Sequence, residues 1–437
     1  MQLDLCNSAP ADWERLPIEA ICQRFTSGGT PSRKLPEFFA GGIPWVKTQE
    51  LTDCLLQDSE EHITDSAIAN SSAKLLPSNT VLMAMYGATV GQLCVLARPM
   101  TCNQACAAMV VDEVKVDYRF LYYQLLASRD QIKSLSTGAA QQNLSGAQIK
   151  QFVLPYPGRK VQAAIADLLW QLDRRIDLLR QTNATLESIA QAIFKSWFID
   201  FDPVRAKAEG REPDGMDAAT AALFPAEFEE SELGLIPKGW SVRSLDSFAT
   251  YLNGLALQKY PPESDEEYLP VIKIAQLRAG HTNGADKASA RLKPEYVVRD
   301  GDVLFSWSGS LEVELWCGGD GALNQHLFKV TSSDVPKWFY YLATKHFLPT
   351  FREIAAHKAT TMGHIQRGHL KEAKLAMPSA ESLRTLSSLM SALIERRVIG
   401  ALHARELAAV RDALLPRLIS GALRLTDALG QAEETQI

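Results

Sequence analysis

From Ile165 onward, apolar residues return at alternating steps of four and three: Leu169, Leu172, Ile176, Leu179, Asn183, Leu186, Ala190, Ile193 and Trp197. This heptad spacing predicts one long helix ended near Pro203, its apolar stripe running about 50 Å at a rise of about 1.5 Å per residue. Asn183 is the polar position in the stripe. It either fixes the register of a partner helix or faces solvent on a slightly rotated helix. A second stripe follows near the end of the chain at Leu386, Met390, Leu393, Leu407, Leu414 and Leu418, with Arg397 and Arg411 standing where the first has Ile176 and Ala190. Those arginines predict a register adjustment that brings Ile394 and Val398, one residue out of phase, into the seam. Buried aliphatic side chains contribute about 1.5–3 kcal/mol each, so neither stripe stays in water. The nearest partner for each helix is the other, and the connection between them allows the pair to run antiparallel.

Ahead of each helix the pattern changes to short apolar runs punctuated by Gly, Pro and Asn, which predicts strands in compact α+β domains. The two halves echo each other at an offset of 221 to 227 residues. Trp13-Glu14-Arg15-Leu16 resembles Trp240-Ser241-Val242-Arg243, and Pro44-Trp45-Val46-Lys47 resembles Pro270-Val271-Ile272-Lys273. Val81-Leu82-Met83-Ala84-Met85-Tyr86-Gly87 matches Val303-Leu304-Phe305-Ser306-Trp307-Ser308-Gly309, Cys102-Asn103-Gln104 matches Leu323-Asn324-Gln325, and Pro157 and Pro378 open the last segment of each half. An ordered series of this kind predicts an internal repeat. The predicted organisation is a first domain over 1–157, a helix over 158–203, an acidic linker with Pro and Gly over 204–237, a second domain over 238–378, a second helix over 379–425 and a flexible tail over 426–437.

Length and composition fit this picture. At 437 residues two or more domains are expected, and 46% hydrophobic with 22% charged residues are ordinary globular values. The net charge of −6 is concentrated: residues 200–235 hold ten carboxylates against Arg205, Lys207 and Arg211, which leaves the remainder near neutral and free to carry basic faces. Seven scattered cysteines without a C-x-x-C pair argue against a disulfide framework and a zinc ribbon. The start has no basic and apolar leader and no segment is long and apolar enough to cross a bilayer, so a cytoplasmic, membrane-free protein is expected.

The run Leu186-Glu187-Ser188-Ile189-Ala190-Gln191-Ala192-Ile193-Phe194-Lys195-Ser196-Trp197-Phe198-Ile199-Asp200-Phe201-Asp202-Pro203-Val204 resembles the central conserved region of type I restriction-modification specificity subunits. Ile43-Pro44-Trp45-Val46-Lys47-Thr48, the run from Leu82 to Gly91, Cys102-Asn103-Gln104-Ala105-Cys106 and Leu323-Asn324-Gln325-His326-Leu327-Phe328 are similar to segments of that family's target-recognition domains. The resemblance covers nearly the whole chain. It implies an α+β fold with two target-recognition domains, each reading one short half-site of double-stranded DNA. Two long antiparallel helices, forming a coiled coil, would separate them and set the gap. It further implies two adenine methyltransferase subunits and translocating endonuclease subunits as partners. S-adenosylmethionine, ATP and Mg2+ would then serve those partners, with no cofactor in this chain. Inserting about one helical turn between Leu172 and Leu186 is expected to change the gap and leave the half-sites unchanged.

Base edges are told apart by Asn or Gln on adenine and Arg or Lys on guanine, so polar loop residues are the candidate readers. In the first domain these are Thr26, Ser27, Gly28, Gly29 and Thr30, then Lys47, Thr48 and Gln49, then Tyr86, Thr89 and Gln92, and Gln141, Gln142 and Asn143. In the second they are Lys273 and Gln276, Ser306, Trp307, Ser308 and Ser310, and Thr360, Thr361 and His364. The competing reading of each is a solvated loop residue or a backbone cap. Asn103-Gln104 and Asn324-Gln325 recur in both halves and are expected to be structural, because readers of different half-sites should differ.

No catalytic residue is assigned. The Asn/Asp-Pro-Pro-aromatic tetrapeptide of adenine methyltransferases is missing, Asp202-Pro203-Val204 failing at its third position, and no G-x-x-x-x-G-K-[ST] loop occurs. Glu113-Val114-Lys115 has the E-x-K spacing of a metal-dependent nuclease, the alternative enzymatic reading; a scaffold that binds only protein is another. His346, His357, His364 and His369 follow no zinc-site spacing and are read as solvated or phosphate-facing, with no metal expected.

Overall fold

The structure is a computed structural model and describes residues 9–135, 143–357 and 363–424. The chain divides into two compact units, one formed by residues 1–175 with 407–437 and the other by residues 176–406. Two 40-residue helices, Arg159–Phe198 and Ala380–Ile419, each contribute residues to both units.

In the first unit the central sheet has five strands in the order Cys22–Ser27, Cys106–Val111, Val81–Ala84, Leu93–Leu96 and Cys54–Leu56, all antiparallel except the last pair. Successive side chains of a strand point to opposite faces. Val81, Met83, Leu93, Val95 and Met109 accordingly join one apolar cluster with Phe120 and Leu121 of the helix Tyr118–Ala127. Leu82, Ala84, Cys94, Leu96 and Ala108 join the other, with Val46 and Cys102. Both faces are therefore dry, and the thiols of Cys94 and Cys106 are pushed well up by burial and by the neighbouring Cys102. A small sheet sets Ile43–Val46 antiparallel to His62–Ile63 and parallel to Thr101–Cys102, and Glu14–Pro17 pairs with Val153–Tyr156.

The second unit has a four-stranded antiparallel sheet in the order Thr250–Asn253, Leu327–Thr331, Val303–Ser306 and Val313–Leu315. Leu269–Ile272 runs antiparallel to Lys287–Ala288 and parallel to Gly321–Leu323, and Ser241–Ser244 pairs with Lys374–Met377. The helix Lys337–His346 buries Trp338, Phe339 and Tyr341.

The seam positions are buried or half-buried. In the first unit Ile165 and Leu169 share a core cluster with Leu415 and Leu418, and Leu414 packs against it. In the second, Ala190 and Trp197 are buried with Leu386, Met390 and Ile394, and Ile193, Leu393 and Val398 pack against them. Ile176 is buried, and Leu172, Leu179, Leu186 and Leu407 are half-buried.

The first long helix ends at Phe198, short of Pro203. Phe201 adopts a left-handed conformation (φ 57°), and Asp202-Pro203 then open a separate helix, Asp202–Ala208, where proline's missing N–H costs nothing. The segment 204–237 carries more structure than its Gly, Pro and acidic residues suggest: a helix at Ala218–Ala221, the hairpin Phe228–Ser231 with Gly234–Pro237, and Val204, Phe224 and Ile236 in the core of the unit.

Candidate nucleic-acid interface

In the first unit a cleft of about 400 Å3 opens where the strand Cys22–Ser27 runs out beside Met85 and Tyr86. Phe25, Thr26, Ser27, Gln104, Gly146, Ala147 and Lys150 complete its walls. Tyr86 is exposed, and its backbone bridges to Asn143. Lys74 donates to the Thr26 hydroxyl at 2.6 Å and has no carboxylate partner among the described residues, so its charge remains available to an anion. Lys150 lies 2.9 Å from Glu19 and 5.5 Å from the Phe25 ring. Gln104 accepts from the Thr30 hydroxyl. Gly28 and Gly29 have a different part: both are buried, and a Cβ on Gly28 would stand 2.0 Å from the Cys102 carbonyl oxygen. Their role here is close backbone approach, which a side chain would prevent.

The same corner of the second unit is filled. Trp307 occupies the position after the strand Val303–Ser306, its indole N–H donating to Asn253 Oδ1 at 2.9 Å and its ring lying against His326, Phe328 and His364. Ser308 is buried, 3.0 Å from His326 Nδ1, and its backbone bridges to His364. Arg367 donates to the Tyr251 carbonyl at 3.2 Å beside the Phe328 ring and, among the described residues, has no carboxylate partner.

Other predicted readers lie elsewhere. Lys47 is 3.2 and 3.1 Å from Glu60 and Glu61, whose hydrogen bonds and charge raise its pKa, while Thr48 is buried and Gln49 exposed. Lys273 pairs with Asp286, and Gln276 accepts from the Lys273 backbone at 3.3 Å as a helix cap. Ser306 is buried and bonded to the Ser310 carbonyl and the Glu312 N–H, both at 2.7 Å, so it shapes its turn from within. Thr89 donates to the Tyr86 carbonyl at 3.3 Å, and Gln92 is half-buried beside it. Gln141, Gln142, Thr360 and Thr361 lie outside the described residues. Asn103 and Asn324 each accept from the backbone N–H two residues on, at 3.1 and 3.2 Å, as turn-forming residues do.

Sequence reasoning passed over Lys74, Lys150, Asn253 and Arg367. The only signal for them was position: Asn253 ends the strand that corresponds to the one ending in Ser27, and Arg367 follows His364 by three residues. Of the four clustered histidines, His346 is held below its ordinary pKa by burial and by the Lys195 charge. No group of three or more His, Cys, Asp or Glu among the described residues could hold a metal ion, and Glu113 accepts from Asn79 at 3.3 Å. No helix among them is long and apolar enough to cross a membrane.

The long helices carry polar contacts within their apolar seams. In the first unit Arg411 lies 2.6 Å from Asp173, which also accepts from the Tyr123 phenol at 2.6 Å. In the second, Glu187 accepts from the Tyr341 phenol at 2.7 Å, lies 2.7 Å from Arg397 Nε and pairs with Lys345, and Arg397 reaches Glu314 at 2.9 Å. Burial would raise the Glu187 carboxyl, but the Arg397 and Lys345 charges outweigh it and hold the pKa below its ordinary value. Asn183 faces the second helix. With its amide oriented to satisfy both partners, it donates to the Arg397 carbonyl at 3.3 Å and accepts from the Ala401 N–H at 3.0 Å. Arg397 and Arg411 thus meet carboxylates beside the seam, while Ile394 and Val398, the out-of-phase residues, enter the apolar core of the unit.

The profile of the type I restriction modification DNA specificity domain matches residues 10–188 and 237–399. The MjaIX specificity subunit of Methanocaldococcus jannaschii is 26% identical over 432 residues, covering 96% of this chain and 95% of its own. The HindI specificity subunit of Haemophilus influenzae is 25% identical over 325 residues, covering 63% and 70%. Among solved structures, the type I S subunit from M. genitalium superimposes with a TM-score of 0.55 at 14% identity, covering 95% of this chain and 98% of that one, a likeness of fold. With two matched domains spanning most of its length, the chain belongs to the type I restriction-modification DNA specificity subunits, which recognise DNA sequence.

Proposed function

We propose that this chain reads a bipartite double-stranded DNA target with two recognition domains related by an internal repeat. The long helices, paired as an antiparallel coiled coil, would act as the spacer that fixes the gap. The observation that carries this reading is the like wiring of the two corners. Four strands of the main sheets run in corresponding order, the backbone bridges Tyr86 with Asn143 and Ser308 with His364 correspond, and Gly28 and Gly254 approach corresponding carbonyls, those of Cys102 and Asn103 and of Leu323 and Asn324, yet the side chains presented differ. One scaffold with two sets of side chains is what reading two different half-sites requires.

The readers on this proposal are Thr26, Ser27, Tyr86 and Asn143 in the first domain and Trp307, Ser308, His326 and His364 in the second, with Lys74, Lys150 and Arg367 on phosphates. The domains are taken as 1–157 and 238–378, the spacer helices as 158–203 and 379–425, and the segment 204–237 as their connector. Constant separations on the helices support the coiled coil: Asp173, Asn183 and Glu187 are spaced by ten and four residues, and so are their partners Arg411, Ala401 and Arg397. The exposed apolar side chains Leu178, Ile189, Leu389 and Ile399 on those helices are the proposed docking points for two methyltransferase subunits. Endonuclease subunits would join through that assembly in the cytoplasm, and S-adenosylmethionine, ATP and Mg2+ would serve the partners.

The test is co-expression with a cognate methyltransferase subunit and mapping of methylated adenines. Two short half-sites at one fixed separation are expected. A single continuous motif, or the same methylation without this chain, contradicts the reading.

A further inference from the structure

Sliding one long helix past the other by a heptad still sets aliphatic residues against aliphatic residues, so the apolar seam alone discriminates poorly between registers. The polar contacts do discriminate. On the antiparallel register set by Glu187 with Arg397, a slide of seven residues would leave Glu187 opposite Met390, Asn183 opposite Ile394 and Arg397 opposite Arg180. A buried carboxylate would then lose its Arg397 counter-charge, and two arginines would face each other.

Asn183 is tied to one place more narrowly still. Its amide bonds to the backbone of Arg397 and Ala401, an approach possible because the intervening residue is Gly400, on which a Cβ would stand 2.3 Å from the nearer terminal atom of the Asn183 amide. Among the residues of the second long helix Gly400 is the only glycine, so no other position there admits the same contact. Its place in a helix interior, where glycine is disfavoured, is otherwise unexplained.

We infer that Asn183, Gly400 and the Glu187–Arg397 pair select a single axial register of the two long helices, and thereby the length of the gap between half-sites. This rests on the spacer reading above. Tyr341 extends the device to the second recognition domain, since its phenol on the helix Lys337–His346 donates to the same Glu187 carboxylate. These are positioning residues that touch no base and leave the half-sites themselves alone.

The experiment uses the full chain assembled with its methyltransferase partner and a set of DNA targets that share both half-sites and differ only in gap. The wild type is expected to methylate one gap. Asn183→Ala combined with Glu187→Met and Arg397→Met is expected to raise methylation of neighbouring gaps roughly tenfold relative to the cognate one, with the half-site bases unchanged. Gly400→Ala, a milder change that displaces the Asn183 amide, should shift the same ratio less and decides the matter if the triple variant does not fold. A distance measurement between probes at the exposed positions Ser188 and Arg396 should broaden in parallel, one heptad of slippage being about 10 Å. Folded variants that keep both a single gap and a single probe distance overturn the inference. A wild type that shows no gap preference at all contradicts the spacer reading instead.

Discussion

The corners at the ends of the strands Val81–Ala84 and Val303–Ser306 have corresponding strand neighbours and differ in what fills them. In the first unit Met85 and Tyr86 border an open cleft of about 400 Å3, and Lys74, which has no carboxylate partner among the described residues, bonds to Thr26 on its wall. In the second, Trp307 closes the equivalent space, held by its bond to Asn253 and by rings on three sides. Four strands run in the corresponding order around both, with Cys54–Leu56 added as a fifth in the first unit only, and the two corners present different side chains. A fold can thus hold its frame constant and change what it presents to DNA by substitution at a few loop positions, which is where binding function is free to vary.

The strongest way to break the comparison is at the shared frame. Gly28→Ala and Gly254→Ala each place a Cβ against a carbonyl oxygen, at 2.0 Å from Cys102 and 2.2 Å from Asn324. Each is expected to destabilise its own unit by about 3 kcal/mol or more, read by urea unfolding. Equal effects support a common frame; a neutral change at either glycine breaks it.

Trp307→Ala comes next. Loss of its ring contacts and of the bond to Asn253 should cost about 2–3 kcal/mol, and methylation mapping should show relaxed bases in the second half-site only. The converse, Met85→Trp, fills the open cleft and should alter the first half-site only. A change in the opposite half-site in either case would dissolve the assignment of one reader to each unit.

Smaller effects follow from charge. Lys74→Ala and Arg367→Ala should weaken binding of all sequences alike and each lower the salt dependence of DNA binding by about one unit of slope, measured by titration at several ionic strengths. The smallest expected effect is at acid pH. Glu187 has a folded-state pKa below its ordinary 4.5, so its stabilising contribution is complete above that value and is lost as pH falls from there through the lowered value. Glu187→Gln should therefore flatten the fall in stability of the second unit as pH drops below 4.5.

The stripes from Ile165 to Trp197 and from Leu386 to Leu418 were legible because a helix seam is local and periodic: every predicted position is buried or half-buried. The partners of Arg397 and Arg411 were not. Glu187 and Asp173 lie more than two hundred residues away, and on a helix read alone a carboxylate looks like part of the solvated face. The folded pieces within 204–237 were hidden for a related reason. Val204, Phe224 and Ile236 stand in short stretches too brief to show a helical or strand period, and only the core they enter gives them a pattern. At the candidate interface, the motif around Trp307 and Tyr86 was visible as a repeat. Lys74, in a loop, and Arg367, at the start of the helix Arg367–Glu372, were not, since a single cation carries no signal until the chain brings it beside the strand ends.

The most direct test of the spacer lies in the helices. One heptad is added to both, between Ile176 and Leu179 in the first and between Ala404 and Leu407 in the second, which preserves the seam and lengthens it by about 10 Å. Mapping of methylated adenines is predicted to return both half-sites unchanged, with the gap wider by about three base pairs at about 3.4 Å each. An unchanged gap, or altered half-site bases in an assembly that still methylates, would contradict it.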